Sequence, residues 1–169
     1  MAAYKVTASG KRDFQLVADE LVLGTLQYTE WFSFKAVITL ADGSTFQIAP
    51  RGAWGTTIEV KAHDTVVLNF RMNWGGNILI KSRIHRKAFI FKQKSLFKNT
   101  YILQDKDGQE MLTIQPDFKW SNINHDYSLS ATAEFDAFDN HALLLLTTVH
   151  CANYYMSIVT GMTVIAATA

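Results

Sequence analysis

From His141 to Ala169 the chain reads HALLLLTTVHCANYYMSIVTGMTVIAATA, without one Asp, Glu, Lys or Arg. Such a stretch is either a membrane anchor or the core of a folded domain, and the choice between them sets the architecture. Roughly 20 apolar residues cross a bilayer, so length alone permits an anchor. The distribution of polarity argues for a core. His150 and Asn153 fall near the middle of the would-be span, where unpartnered polar groups are costly. The densest apolar run, Leu143 to Leu146, lies at one end, and the second half is rich in Thr, Ala and Gly. The nearest upstream basic residue is Lys119, so the flanking charge that orients a membrane span is missing. A helix that is apolar on every side is expected where it is surrounded on every side.

What precedes this block supplies the surroundings. From Tyr4 to Phe135 apolar and polar residues alternate over short runs separated by turn residues, the period of half-buried strands. In KAVITLADGSTFQIAP, Ala36, Ile38 and Leu40 share one face, and Asp42-Gly43 supplies the positive backbone angles of a tight hairpin. YILQ and EMLTIQP around Asp107-Gly108 repeat the form. TIEVKA, TVVLNFRM, NILIKSRI, KAFIFKQK and YSLSATAEF read as further strands, and QLVADELVLGTLQYTEWFSFKA as strands with a bend at Gly24. Strands about ten residues apart predict a sandwich or barrel. A helix is expected from about Asn140 to Met156, with Asp139 or Asn140 as its N-cap, and Gly161 weakens its continuation.

Many short antiparallel strands, then the acidic corner FDAFDN, then ALLLLTTVHCANYYM as an apolar helix, resemble the tubby-like superfamily: tubby C-terminal domains, phospholipid scramblases and LURP-one-related proteins. The stretch LGTLQYTEWFSFKAVITLADGSTFQI is similar to the early hairpins of that group. The resemblance implies a closed antiparallel barrel of about twelve strands around a central hydrophobic C-terminal helix. It also implies an anionic lipid as ligand, because tubby domains bind phosphoinositide head groups through Lys and Arg on the barrel exterior.

Length and composition bound the rest. A chain of 169 residues suits one domain, here 1–169, with strands over about 4–135 and the buried helix over about 140–156. A net charge of +1 gives no reason to expect nucleic acid, so attraction for phosphate must come from a local patch. KSRIHRKAFIFKQKSLFK is that patch, with Lys81, Arg83, Arg86, Lys87, Lys92, Lys94 and Lys98 and no acid among them. With Phe91 on the inner face, Lys92 and Lys94 project outward, and with Arg83 or Lys87 on a neighbouring strand the charges would converge on the outer surface. The plainer reading is that outward strand positions are polar anyway and that lysine guards sheet edges.

Other chemistry is thinly represented. Asn122, Asn124 and Asp126 alternate like the start of a calcium loop, but Tyr127 stands where the turn wants Gly, and no Glu follows at the twelfth position. The five histidines form neither an HExxH pair nor a zinc spacing, and there is no GxSxG, P-loop or GxGxxG. The single Cys151 sits in apolar sequence and reads as a buried, inert thiol. Trp31, Phe32, Trp54, Trp74 and Trp120 are expected mostly as barrel filling. No cofactor, metal or catalytic constellation is expected. The first expectation is therefore a non-enzymatic binding or interaction module, cytoplasmic or peripheral to a membrane, with lipid head groups or a protein as partner. MAAYKVTASGKRDF carries no apolar signal segment. The alternatives are a membrane protein, scramblase-like or tail-anchored by residues 142–169, and an enzyme with an unrecognised site.

Overall fold

The computed structural model describes residues 1–10, 12–30, 34–52, 56–95, 97–117 and 125–168, with 159–168 as backbone. The alternating segments become β1 Ala2–Ser9, β2 Asp13–Ala18, β3 Leu21–Glu30, β4 Lys35–Leu40, β5 Thr45–Pro50 and β6 Ile58–Ala62. They continue as β7 Thr65–Met72, β8 Ile78–Ser82, β9 Lys87–Ser95, β10 Thr100–Asp105, β11 Glu110–Asp117 and β12 Asp126–Ala131. Each strand pairs antiparallel with its neighbour in the chain, and β1 pairs with β12 through Ala2↔Ala131 and Lys5↔Ser128. The sheet thereby closes into a barrel of twelve strands among the described residues, and closure removes the unpaired edges that an open sheet would present.

Inward positions are the apolar half of each alternation. Ile38, Val60, Leu68, Ile80, Phe89 and Leu103 have no solvent exposure. Into this space runs α2, His141–Thr168. Leu143, Leu144, Leu145 and Leu146 are each wholly buried. Four successive residues at about 100° steps cover the whole circumference of a helix, so the barrel encloses α2 on every side. Its partners lie all round the wall: His150 meets Tyr28 of β3 and Phe70 of β7, Tyr155 meets Tyr101 of β10, and Asn153 meets Tyr127 of β12. Among the described residues no helix is long and apolar enough to cross a membrane.

Two local expectations are corrected and a third is refined. The strand expected to run through YSLSATAEF stops at Ala131, because Thr132 caps a short helix, α1 Ala133–Asp136, accepting the Phe135 N–H at 3.3 Å. Phe135 is thereby buried at the mouth of the barrel. Helix α2 does not end near Met156 but continues as backbone to Thr168, since Gly161 costs a helix only about 1 kcal/mol and no proline follows to break it. At Gly24 β3 is continuous but irregular: Leu16 faces Gly24 and Val17 faces Val22, so the register shifts across Leu23, while the reversal of the chain sits earlier, at Asp19 and Glu20 with φ of 48° and 66°. Gly24 is there for proximity. A methyl group on it would lie 2.9 Å from the Thr39 carbonyl oxygen and 3.0 Å from Leu146 Cδ1.

The buried polar groups of α2, His150 Nε2 apart, have hydrogen-bond partners inside the barrel. Thr147 and Thr148 donate to the Leu143 and Leu145 carbonyls at 2.8 and 2.7 Å. Asn153 Nδ2 donates to the Tyr28 hydroxyl at 3.0 Å and its Oδ1 accepts from Tyr127. Tyr28 Oη lies 2.9 Å from His150 Nδ1. The Tyr28 hydroxyl therefore bridges two residues of α2, Asn153, which donates to it, and His150, whose ring nitrogen shares a proton with it. His150 Nε2 has no hydrogen-bond partner among the described residues, and the ring is enclosed by Phe34 and Phe70. Burial pushes this imidazole down to about 3.

Two predictions follow from the packing and the buried imidazole. Gly24→Ala should lower unfolding free energy in urea by about 1–3 kcal/mol, because the wall and Leu146 must separate to admit the methyl group. His150 stays neutral in the folded chain while its unfolded counterpart takes up a proton below about pH 6.5, so it lowers stability progressively as pH falls from there towards about 3. At about pH 5 the penalty is on the order of 2 kcal/mol. His150→Asn, which keeps a hydrogen-bonding group for Tyr28, should flatten the dependence of urea midpoint on pH across that interval.

Candidate anion-binding surface

The outer face of β6, β7 and β8 assembles a cationic concavity. Register places Glu59 opposite Asn69 and Asn69 opposite Lys81, with Arg71 opposite Leu79 one step along. All five alternate with buried residues and therefore point outward. Two residues outside the strands complete the group. The Arg51 N–H donates to the Thr57 carbonyl at 2.8 Å, closing the connection between β5 and β6 over the sheet. The Arg83 N–H donates to the Val67 carbonyl at 2.9 Å, turning the chain after β8 back towards β7. The result is a concavity of about 260 Å³ lined by Arg51, Arg71, Lys81 and Arg83 together with Thr57, Glu59, Asn69 and Leu79.

Its electrostatics are unbalanced. Glu59 is the one carboxylate in the lining among the described residues, and it lies 3.9 Å from Lys61, a further cation. Among the described residues no carboxylate forms a salt bridge with Arg51, Arg71, Lys81 or Arg83. Surface cations gathered without counter-charges repel one another, and an anion with several acceptor oxygens relieves that repulsion. Thr57 and Asn69 add uncharged polar groups to the same lining.

The basic run from Lys81 to Lys98 does not converge as one patch. Lys81 and Arg83 belong to the concavity. Arg86 and Lys87 lie at the β8–β9 turn beside Asp105 and Asp107, and Lys87 also pairs with Glu134 at 3.4 Å and rests over the Phe138 ring. Lys92 and Lys94 do alternate with the buried Phe91 as expected, but Lys94 is held by both carboxylate oxygens of Glu110, at 2.9 and 3.0 Å. Lys98 stands in the β9–β10 turn, where its carbonyl accepts from Gln115 at 2.9 Å. Seven basic residues close together in a chain that reverses direction every few residues are dealt onto different faces. Arg51 and Arg71 were missed for the converse reason: they are far apart in sequence and meet only across the sheet. Outward positions compared across paired strands, Asn69 and Arg71 against Leu79 and Lys81, carry the signal that a scan along the chain does not.

The remaining polar clusters have structural roles. Ser82 Oγ lies 2.6 Å from His85 Nδ1, and His85 Nε2 lies 2.7 Å from the Asp139 carbonyl. The arrangement resembles a serine–histidine pair, but Ser82 is only 4% exposed and its oxygen also accepts the His85 N–H. It ties the β8–β9 turn to the corner before α2, and burial holds the His85 imidazole below its usual range. At the same mouth Tyr4 donates to Asp136, which lies 3.8 Å from His141 Nε2. Of the calcium-like trio, Asp126 is buried and accepts the Ala8 N–H at 2.8 Å, while Asn122 and Asn124 lie outside the described residues. No cluster of metal-binding side chains occurs among the described residues. Cys151 is fully buried, and burial raises its thiol. Trp74 is not barrel filling but fully exposed; Trp31, Phe32, Trp54 and Trp120 lie outside the described residues.

No protein-family model, no curated protein and no solved structure matches the chain.

If the concavity takes an anion, sulfate at fixed ionic strength should raise the thermal midpoint above that in chloride, by preferential binding to the folded state. In Arg71→Ala/Lys81→Ala the sulfate-specific increment should disappear, as read by differential scanning fluorimetry.

Proposed function

We propose that this chain is a non-enzymatic binding module of the tubby-like kind, which attaches to anionic phospholipid through the outer wall of β6, β7 and β8. The observation that carries the reading is the unpaired cationic concavity of Arg51, Arg71, Lys81 and Arg83. Three guanidinium groups suit bidentate contact with phosphate oxygens, and Lys81 adds a point charge on a flexible stem. At about 260 Å³ the concavity falls short of the roughly 300 Å³ at which drug-sized pockets begin, a size suited to a head group. A barrel filled by its own helix leaves the exterior as the surface for ligands, which favours a binding module over an enzyme. The fold is compatible with the tubby-like superfamily in its closed twelve-stranded sheet and enclosed C-terminal helix, and that likeness supports the same class of ligand. A cytoplasmic protein peripheral to the membrane is the setting this implies.

Sedimentation with vesicles of phosphatidylcholine, with and without phosphatidylserine or phosphoinositide, tests the reading over a salt series. Binding should require the anionic lipid and weaken as salt rises. Arg71→Glu/Lys81→Glu should weaken it by on the order of tenfold or more, since each contact with a lipid phosphate becomes repulsive. Lys94→Glu, at a charge already matched by Glu110, should leave it nearly unchanged. Equal effects of the two changes would reduce the site to unspecific surface charge.

A further inference from the structure

We propose that the chain docks end-on against a lipid bilayer, through the rim of connections around the point where α2 leaves the barrel, with Trp74 and Phe97 seated among the lipid head groups. The proposal deepens the reading of the cationic wall as a phospholipid site and rests on it for the source of the anionic charge.

In a closed barrel of sequentially paired antiparallel strands, successive connections fall alternately at the two ends. Six connections share the end at which Tyr154 and Tyr155 of α2 meet Phe34 and Tyr101. In chain order they read GKR (10–12), WFSF (31–34), RGAWGTT (51–57), NWGGN (73–77), LFKN (96–99) and FKWSNINH (118–125). Among the described residues these connections hold Trp74 and Phe97 with three basic residues, Arg12, Arg51 and Lys98, and no acid. The connections at the opposite end are mixed in sign but mostly acidic: Asp19, Glu20, Asp42, Asp64, Asp107 and the acidic corner before α2 stand there with Arg83, Arg86 and Lys106, and there is not one tryptophan. Nothing in the folding of a twelve-stranded barrel requires this division, because both ends need turns and either end can be polar.

The described part of the rim shows what the composition does there. Trp74 and Phe97 are almost wholly exposed, the largest aromatic side chains among the described residues left in water. Exposed aromatics beside basic residues and away from acids are the composition of a membrane–water interface, where an amphipathic ring sits at head-group level and cations meet lipid phosphate. Trp74 lies in the turn that joins β7 to β8, directly beyond Arg71 and Leu79 in the concavity. Docking by this end therefore brings Arg51 and Arg71 to the depth of the lipid phosphates while the acidic end faces away. Charge complementarity thus assigns the rim to an anionic bilayer.

The experiment compares the full chain with Trp74→Ser/Phe97→Ser, both at exposed turn positions, after matched thermal unfolding confirms an unchanged fold. Probes are vesicles of phosphatidylcholine with phosphatidylserine, vesicles of phosphatidylcholine alone, and a soluble short-chain phosphatidylserine. The double variant should bind the mixed vesicles on the order of tenfold more weakly and the soluble lipid as the parent does, because only a bilayer offers an interface to the rings. Brominated acyl chains should quench tryptophan emission of the parent chain. A double variant that binds mixed vesicles like the parent overturns end-on docking, and the cationic wall still stands if Arg71→Glu/Lys81→Glu loses binding. Binding to both vesicle types that ignores this charge reversal but needs Trp74 and Phe97 removes the wall and keeps the docking. Failure of the parent chain to bind any vesicle overturns the docking, as does a dimer that the double variant dissociates without change in vesicle binding, which would give the rim to a second copy of the chain.

Discussion

Four consecutive leucines on one helix impose the constraint from which the rest of the structure follows. Leu143 to Leu146 point in four directions, and all four are buried. A helix lying on a sheet would bury one stripe and expose the others, so only a wall that closes around the helix satisfies the sequence. Closure in turn requires that the first and last strands pair, which β1 and β12 do. The distance between helix and wall is then tight enough that β3 passes Leu146 only because residue 24 has no side chain.

The barrel is filled by the side chains of its own helix. The interior polar groups, His150, Asn153, Tyr28 and Tyr127, hydrogen-bond to one another and align α2 in rotation and depth. Burial keeps His150 neutral and raises the Tyr28 and Tyr127 hydroxyls, as expected of groups that hold a core together without exchanging protons with solvent. Against this inert interior, the unpaired cations on the outside of β6 to β8 and the aromatic turns beside them are the places where the surface departs from simple solvation. The aromatic turns and, within the concavity, Arg51 and Arg71 lie towards the end where α2 emerges, while Lys81 and Arg83 lie towards the other end of the same wall.

Sequence reading recovered the fold because its signals were local or periodic. Alternation in TVVLNFRM gave β7 with its observed bounds, and Asp42-Gly43 and Asp107-Gly108 marked hairpins at their observed places. It faltered where tertiary contact outweighed propensity. Thr132 ends β12 in favour of a capped turn that buries Phe135, and Gly24, read as a bend, stands beside a shift in strand register and also under a steric limit set by Leu146. The basic run from Lys81 to Lys98 was legible as charge but not as geometry, because neighbours in sequence fall on different faces of a barrel and several meet carboxylates, Glu110 and Glu134, from distant segments.

By itself the sequence determined the alternating strands and an uncharged, all-round apolar helix after them, since hydrophobic periodicity is written residue by residue, and the enclosure of that helix by a closed sheet was an expectation that the fold then met. Only the tertiary structure decided which charges stand together. Arg51, Arg71, Lys81 and Arg83 come from separate connections and strands, and their proximity depends on strand register and on which acids reach which bases, information that exists in space and not along the chain.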